Sequence, residues 1–118
     1  MTVEIESLMR ANLLEVFGER DATKRRAAIA RIYTDDVVFL DPDEVTTGHA
    51  ELDAKAQRLL DEAPGFEFVE DGPVYVNHDM GFLAWAFGPA GAAPVVRGFD
   101  TCFIAEGRIA KVYTVLVA

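Results

Sequence analysis

The order of two periodic patterns along the chain most constrains its fold. Apolar residues recur at helical spacing through the first half, and short apolar runs separated by turn residues fill the second half. The helical spacing predicts amphipathic helices at residues 3–18, 22–33 and 49–63. Helices that precede strands are typical of an α+β fold. We therefore expect three N-terminal helices packed on one face of a curved, mainly antiparallel sheet.

Turn residues divide the second half into strands. Runs at residues 66–69 and 74–76 predict one strand interrupted by a bulge or kink at Gly72-Pro73. Residues 82–87, 95–105 and 108–117 predict three more strands. A hairpin turn at residues 77–81, a flexible connection at 88–94 and a tight turn at 106–107 would join the four into an antiparallel meander. A sheet bent around helices would form a cone with an apolar pocket, which is a natural ligand site.

One short strand interrupts the helical half. The β-branched and aromatic residues 37–40 predict it after a turn at residues 34–36, and Pro42 ends it because proline has no N–H to donate. Thr47-Gly48 then opens the third helix. Asp41 would lie at the end of this buried strand. Two interpretations are open: Asp41 accepts backbone N–H groups around the turn, or it acts as a general base.

Composition narrows the functional classes. The chain of 118 residues is long enough for one domain, spanning residues 1–118, with its own core. A formal net charge of -9 disfavours nucleic acid and anionic membrane surfaces as partners. The N-terminus lacks the basic start and apolar core of a signal peptide, and no apolar run could span a bilayer, so we expect a cytoplasmic protein. The cluster Lys24-Arg25-Arg26 is expected to lie on a solvated face.

Metal and cofactor sites are not expected. The single cysteine, Cys102, excludes an internal disulfide and a cysteine-cluster metal site, and is expected to be a small core residue. Asp41, Asp43, Glu44 and His49 lack the spacing of a metal site. His49 and His78 are interpreted as surface residues.

A second carboxylate belongs to the strand predicted at residues 95–105. Alternation places Gly98, Asp100, Cys102 and Ile104 on one face, which we interpret as the pocket side. Asp100 then has two interpretations: a carboxylate paired with a neighbour or exposed at a strand edge, or a neutral acid or ligand anchor with a raised pKa. The predicted pocket lining comprises Asn12, Leu13, Phe17, Trp85, Phe87, Cys102 and Thr114. For Asn12, a buried amide bonded to a carbonyl is the alternative.

The chain resembles the nuclear transport factor 2-like superfamily of cone-shaped folds, in particular its SnoaL-like polyketide cyclase and ketosteroid isomerase branch. The resemblance covers essentially the whole chain. It is carried by Tyr33-Thr-Asp-Asp-Val-Val-Phe-Leu-Asp-Pro42, by Gly48 at the start of the third helix, and by Gly98-Phe-Asp-Thr-Cys-Phe-Ile-Ala-Glu-Gly-Arg-Ile109.

The resemblance implies roles for both carboxylates. In ketosteroid isomerases the aspartate of the matching Asp-Pro step moves the substrate proton, which implies that Asp41 is the base. An aspartic acid on the matching long strand donates to the enolate oxygen, which implies that Asp100 is the acid. The tyrosine that those isomerases use as a further donor is replaced here by Leu13 or Phe17. Loss of such a donor costs on the order of a hundredfold in rate.

Three functions therefore stay open. The first is an isomerase or cyclase that moves a proton next to the carbonyl of a small apolar molecule. The second is a non-catalytic binding protein for such a molecule, and the third is an interaction protein. In each case we expect a homodimer, because the outer sheet face would carry Phe99, Phe103, Tyr113 and Val115, which need cover.

Overall fold

The computed structural model describes residues 2–117, which form three α-helices, one π-helical segment and seven strands. The helices are α1 (Thr2–Ala11), α2 (Ala22–Ile32) and α3 (His49–Asp61), and the π-helical segment Asn12–Phe17 continues α1. The strands are β1 (Tyr33–Leu40), β2 (Val45–Thr47), β3 (Phe66–Glu70), β4 (Tyr75–Asn77), β5 (Met80–Pro89), β6 (Val96–Ala105) and β7 (Arg108–Val117).

All seven strands belong to one mixed sheet. The order is β2-β1-β7-β6-β5-β3, with β4 also paired to β5. Every pairing is antiparallel except that of β1 with β7, which is parallel. The helices cover one face, and their apolar stripes and the inner sheet residues form one core. The predicted α+β architecture is therefore confirmed, and the four predicted antiparallel strands are joined at one edge by β1 and β2.

The region between α2 and α3 differs from the prediction. The helix predicted to end at Tyr33 ends at Ile32, and residues 34–36 lie within β1 instead of forming a turn. The register of β1 on β7 shifts between Tyr33 and Val38, so this acidic stretch is accommodated as an irregularity. Strand β2, which was not predicted, pairs Thr46 with Phe39. The third helix ends at Asp61 instead of residue 63.

The π-helical segment replaces the last turns of the first predicted helix. Its widened turn is closed by Gly18, whose N–H donates to the carbonyl of Leu13, five positions earlier, at 2.8 Å. As a result four of its six side chains are buried, including Asn12 and Phe17. This segment presents Asn12 to the sheet.

Arg25 corrects the expectation of a solvated basic cluster. Its side chain is fully buried, and its Nε donates to Asp53 at 2.7 Å while Nη1 donates to the carbonyl of Glu19 at 2.8 Å. Nη2 donates to Gln57. Arg25 thus ties α2 to α3. Asp21 is the N-cap of α2, because its carboxylate accepts the backbone N–H groups of two first-turn residues.

The histidines lie apart from the cavity described below. His49 is half-buried, and its Nε2 donates to the carbonyl of Thr34 at 3.0 Å, which fastens the start of α3 to β1. His78 is exposed in the turn between β4 and β5. Within residues 2–117, no helix combines the length and apolar character needed to cross a bilayer.

Candidate functional site

A cavity of about 560 Å³ opens between the helices and the concave face of the sheet. Its floor is built by β5, β6 and β7, and its walls by the π-helical segment, the end of β1 and α3. The lining residues are Leu13, Phe17, Phe39, Asp41, Pro42, Asp43, Glu44, Lys55, Arg58, Leu59, Glu62, Ala63, Phe66, Phe68, Trp85, Phe87, Val96, Asp100, Thr114 and Leu116.

Aromatic rings dominate the inner surface. Phe68 stacks on Phe87 with ring centroids 4.1 Å apart, and meets Trp85 edge-on at 5.3 Å. On the other side, Phe17 and Phe39 lie 5.1 Å apart. These rings give the cavity rigid apolar faces.

Most of the predicted lining residues lie at this cavity. Leu13, Phe17, Trp85, Phe87 and Thr114 line it, as do both candidate carboxylates. Asn12 and Cys102 are fully buried, and neither is among the lining residues of the described chain. Asn12 lies behind the cavity wall as a buried amide, and Cys102 is a core residue on β6. The expectation that these two line the pocket is therefore corrected.

Asp100 is a buried carboxylate held by three donors. Thr114 Oγ1 donates to Oδ1 at 2.7 Å, and Trp85 Nε1 donates to the same oxygen at 3.1 Å. Asn12 Nδ2 donates to Oδ2 at 3.0 Å. Burial raises the pKa of Asp100 to about 6, although the three hydrogen bonds oppose this by stabilising the charged form.

A second layer of contacts supports Asp100 from the core. The hydroxyl of Tyr33 donates to Asn12 Oδ1, and both side chains are fully buried. Burial, together with the neighbouring Cys102 and Asp100, raises the pKa of Tyr33 well above its ordinary value. Burial and Asp100 likewise raise the pKa of Cys102. Both groups therefore keep their protons at neutral pH.

Asp41 lies at the mouth of the cavity and is engaged on both oxygens. Oδ1 accepts the backbone N–H groups of Asp43 and Glu44, each at 2.9 Å, while Oδ2 lies 2.5 Å from Lys55 Nζ. Burial raises the pKa of Asp41, but the Lys55 ammonium and the backbone N–H groups outweigh it, so the pKa is lowered. These contacts match the structural interpretation of the Asp-Pro turn. The role of Asp41 as a base stays a prediction.

Lys55 is a cavity residue that the sequence analysis did not select. Its ammonium group also lies 2.9 Å from Glu44, and 5.7 Å from the ring centre of Phe39. Lys55 is three positions after Leu52 and four before Leu59, two residues of the apolar stripe of α3. That spacing on an inward-facing stripe was the signal that could have identified it.

The position of the absent tyrosine carries no donor. Leu13 and Phe17 both line the cavity, and neither side chain has a hydrogen-bond donor. Within residues 2–117, no group of three or more histidine, cysteine or acidic side chains is arranged to hold a metal ion.

The outer face of the sheet carries the apolar residues that the alternation predicted there. Phe99 is paired with Val115 across β6 and β7, and Tyr113 lies edge-on to Phe103 at 6.1 Å. Tyr113 and Val115 are exposed, while the two phenylalanines are half-buried. A homodimer through this face stays a prediction.

Comparison with solved structures identifies the same architecture. A protein from Agrobacterium tumefaciens str. C58, provisionally named an isomerase of the SnoaL-like family, matches with a TM-score of 0.91 at 22% identity over 100% of both chains. A protein from Jannaschia sp. CCS1, provisionally named a SnoaL-like polyketide cyclase, matches with a TM-score of 0.77 at 15% identity over 98% of this chain and 85% of that one.

A third structure, from Methylobium petroleophilum PM1, is described as having a cystatin-like fold. It matches with a TM-score of 0.78 at 15% identity over 100% of this chain and 78% of that one. A search of curated proteins gave no match. The sequence model of the SnoaL-like domain matches residues 11–112, which include the π-helical segment, both candidate carboxylates and the first half of β7. The chain therefore belongs to the SnoaL-like domain family.

Proposed function

We propose that this protein is a small-molecule isomerase or cyclase that moves a proton next to a carbonyl group in the aromatic cavity. The observation that carries the proposal is Asp100, a buried carboxylate in the cavity wall with a pKa of about 6. A general base is most effective when its pKa lies near the working pH. The names of the Agrobacterium and Jannaschia proteins, an isomerase and a cyclase, support the same reaction class.

The proposed chemistry uses one carboxyl group twice. Ionised Asp100 takes a proton from the carbon next to the carbonyl, and the electron pair of the broken C–H bond moves into the carbonyl to form an enolate. In an isomerisation, neutral Asp100 returns the proton to a different carbon. In a cyclisation, the enolate carbon forms a bond to a second carbonyl carbon, and Asp100 returns the proton to the resulting alkoxide.

This proposal divides the roles differently from the family resemblance. Asp41 is a weaker base than a free aspartate, because Lys55 and two backbone N–H groups stabilise its charged form. We assign to Asp41 the task of holding Lys55 at the cavity mouth. Lys55 has three N–H donors, of which Asp41 and Glu44 take two. The third would serve the enolate oxygen in place of the missing tyrosine.

Hydrogen–deuterium exchange tests proton abstraction without knowledge of the natural substrate. The probe is 2-tetralone, a flat apolar ketone with acidic protons next to its carbonyl, followed by proton NMR in deuterated water. The wild-type protein should accelerate exchange, and Asp100→Asn should reduce the acceleration by about 100-fold or more. Asp41→Asn should reduce it much less, because the base is intact and Glu44 still holds Lys55. The exposed Asp79→Asn should match the wild type.

The opposite result would restore the other assignment. If Asp41→Asn loses the acceleration and Asp100→Asn keeps it, Asp41 is the base, as the resemblance implies. If the wild-type protein binds 2-tetralone but does not accelerate exchange, the proton-transfer proposal is wrong for this ligand class.

A non-catalytic binding function is the second candidate. It is favoured by Leu13 and Phe17, which leave the cavity without the donor at the position of the isomerase tyrosine. Trp85 is the only tryptophan of the sequence and lines the cavity, so its fluorescence reports occupancy. Saturable quenching by 2-tetralone without exchange would indicate binding alone.

A further inference from the structure

We propose that Tyr33 and Asn12 are positioning residues that fix Asp100 as a hydrogen-bond acceptor, so that the cavity selects ligands that bring a proton to Asp100. Such ligands carry an acidic C–H or an O–H group at that point, and ligands that offer only an acceptor are disfavoured. This inference rests on the proposed function for its catalytic consequence. Its structural core concerns the resting protein and can be tested without turnover.

The chain of contacts begins at Tyr33. Its fully buried hydroxyl donates to Asn12 Oδ1, and burial raises its pKa, so it stays protonated and remains a donor. The amide of Asn12 has one acceptor, its oxygen, and two donor N–H groups on its nitrogen. Because the oxygen is occupied by Tyr33, the nitrogen is directed at Asp100 Oδ2.

The three hydrogen-bond donors around Asp100 favour its ionised form over its protonated form. The indole nitrogen of Trp85 can only donate, and the Asn12 nitrogen is held in the donor orientation by Tyr33. Thr114 is the one partner whose hydroxyl could rotate to accept. A proton on Asp100 would therefore weaken the hydrogen bonds that it accepts, because a neutral carboxyl group is a poorer acceptor than a carboxylate. The arrangement favours the ionised carboxylate before a ligand arrives.

Counting acceptor sites indicates where the ligand proton would go. A carboxylate offers about four lone-pair sites, two on each oxygen. Trp85 and Thr114 both donate to Oδ1, and Asn12 donates to Oδ2. The remaining site is therefore on Oδ2, the oxygen that Asn12 orients, and we assign proton transfer to it.

Asn12 and Tyr33 come from different parts of the chain to make this arrangement. Asn12 begins the π-helical segment, and Tyr33 is the first residue of β1. Neither is among the cavity lining in the described chain. Substitutions at these positions should consequently change the proton affinity of Asp100 while leaving the ligand-contact surface in place.

Other titratable groups near Asp100 must be considered in any titration. Tyr33 and Cys102 interact with it from β1 and β6, and both have raised pKa values, so they stay neutral where Asp100 titrates. Across the cavity, the charged lining residues are Asp41, Asp43, Glu44, Lys55, Arg58 and Glu62. They are the same in the variants below, so differences between variants report the hydrogen bonds of Asp100.

The first experiment is a carbon-13 NMR titration of the Asp100 carboxyl group without ligand, with Asp100→Asn for assignment. Asn12→Leu should raise the pKa of Asp100 by about one pH unit or more, because a hydrogen bond to a charged group is lost. Tyr33→Phe should raise it by a smaller amount, because the released amide can turn its oxygen towards a protonated carboxyl. Tyr113→Phe removes a hydroxyl from an exposed ring and should leave the pKa unchanged.

These outcomes can overturn the positioning role. If Tyr33→Phe and Asn12→Leu give the same Asp100 pKa as Tyr113→Phe, then the two residues do not control the carboxylate. Tyr33→Phe removes a single oxygen atom, so it keeps the test available even if Asn12→Leu fails to fold.

The second experiment tests ligand selection by calorimetry. The probes are 2-naphthol, which has an O–H donor, and 2-methoxynaphthalene, which offers only an acceptor on a similar ring system. The wild-type protein should prefer 2-naphthol by about tenfold or more, the effect of one hydrogen bond to a charged group. Equal affinities, or a preference for 2-methoxynaphthalene, would contradict the inference. Neither the carbon-13 titration nor the calorimetry involves turnover. Both can therefore be interpreted even if the exchange assay shows no catalysis.

Discussion

The carboxylate of Asp41 and the ammonium group of Lys55 lie 2.5 Å apart at the cavity mouth, where both side chains are largely buried. The ion pair joins the turn after β1 to α3, and Glu44 completes it from the same turn. The ion pair also affects Lys55. Burial lowers the pKa of Lys55, but the contacts with Asp41 and Glu44 have the larger effect, so this pKa is raised. The pair is therefore charged throughout the neutral range.

Replacing Asp41 should destabilise the protein in a pH-dependent way. Asp41→Asn should lower the free energy of unfolding at neutral pH by about 1–2 kcal/mol, since a charge-assisted hydrogen bond is lost. The folded-state pKa of Asp41 is lowered, so its contribution is present above the ordinary value and disappears as the pH falls through the folded value. Urea unfolding of both proteins at neutral and strongly acidic pH measures this.

The control for that experiment is Asp43→Asn, which alters an exposed carboxylate in the same turn. It should unfold like the wild type at both pH values. An Asp41→Asn protein whose stability deficit persists unchanged in acid would show that the loss is steric rather than electrostatic.

The ionisation of Asp100 should make the exchange activity fall at acidic pH. Its ionised form is the proposed base and its pKa is raised to about 6, so exchange of 2-tetralone should increase with pH through about 6 and then level off. The stability linkage has the opposite sign. Because the pKa of Asp100 is raised on folding, Asp100 contributes to the free energy of unfolding below its ordinary pKa of about 3.8. This contribution is lost as the pH rises through about 6. An exchange rate that is flat from about pH 4 to 8 would exclude Asp100 as the base.

Two buried glycines should differ in their tolerance of a methyl group. A Cβ at Gly98 would lie 2.6 Å from the carbonyl oxygen of Val115 and 2.6 Å from the Trp85 ring, so the backbone of β7 or the indole must move. A Cβ at Gly81 would lie 2.7 Å from the sulfur of Met9, a flexible side chain.

We therefore expect Gly98→Ala to cost about 1–3 kcal/mol of unfolding free energy, the usual range for overpacking, and Gly81→Ala to cost less. Thermal unfolding of both variants ranks them. Trp85 donates to Asp100, so Gly98→Ala should also disturb the Asp100 titration, whereas Gly81→Ala should not. A larger loss in Gly81→Ala would contradict this packing argument.

Arg25 and Arg26 offer a matched pair, since both contact the carboxylate of Asp53. The Arg25 side chain is fully buried, and that of Arg26 is 67% exposed. Arg25→Met should lower the free energy of unfolding by about 3 kcal/mol or more, because it leaves Asp53 and Gln57 without their buried partner. Arg26→Met should cost about 1 kcal/mol or less. Urea unfolding distinguishes the two variants. Equal losses of unfolding free energy would contradict the argument that burial makes Arg25 the more important partner of Asp53.

The outer sheet face should mediate self-association. We expect a homodimer, because the face around Tyr113 and Val115 is apolar and exposed. Light scattering after size-exclusion chromatography should give twice the chain mass for the wild type and a single chain mass for Tyr113→Lys. Val45→Lys, at an exposed position on β2, should stay dimeric. A monomeric wild type at high concentration would remove this prediction.

The regular parts of the fold were accessible from sequence because local pattern and tertiary environment agree there. Alternation in β6 correctly placed Asp100 and Cys102 on the inner face, and the strand predicted at residues 108–117 coincides with β7. Asp35 and Asp36 indicated a turn because acidic residues are rare in strands. They are nevertheless exposed residues of β1, at an irregularity that no local pattern reveals.

The partners of the charged residues were harder to predict from the sequence. Arg25 can be buried because α3 brings Asp53 and Gln57 to it. Asp41 forms an ion pair because the same helix carries Lys55. The sequence predicted two carboxylates in one cavity. It did not indicate which of them is paired, because that depends on how α3 packs against β1.

The parallel pairing of β1 with β7 affects how the protein forms during translation. β1 is synthesised before its parallel partner β7, and five other strands lie between them in the sequence. Until β7 emerges, the edges of β1 and β6 that pair with it remain uncovered, and unpaired strand edges of this kind favour aggregation and chaperone binding. Asp100 on β6 meets Thr114 only once β7 has been synthesised. The three hydrogen bonds of Asp100 are therefore complete only after the helices and the other six strands have been synthesised.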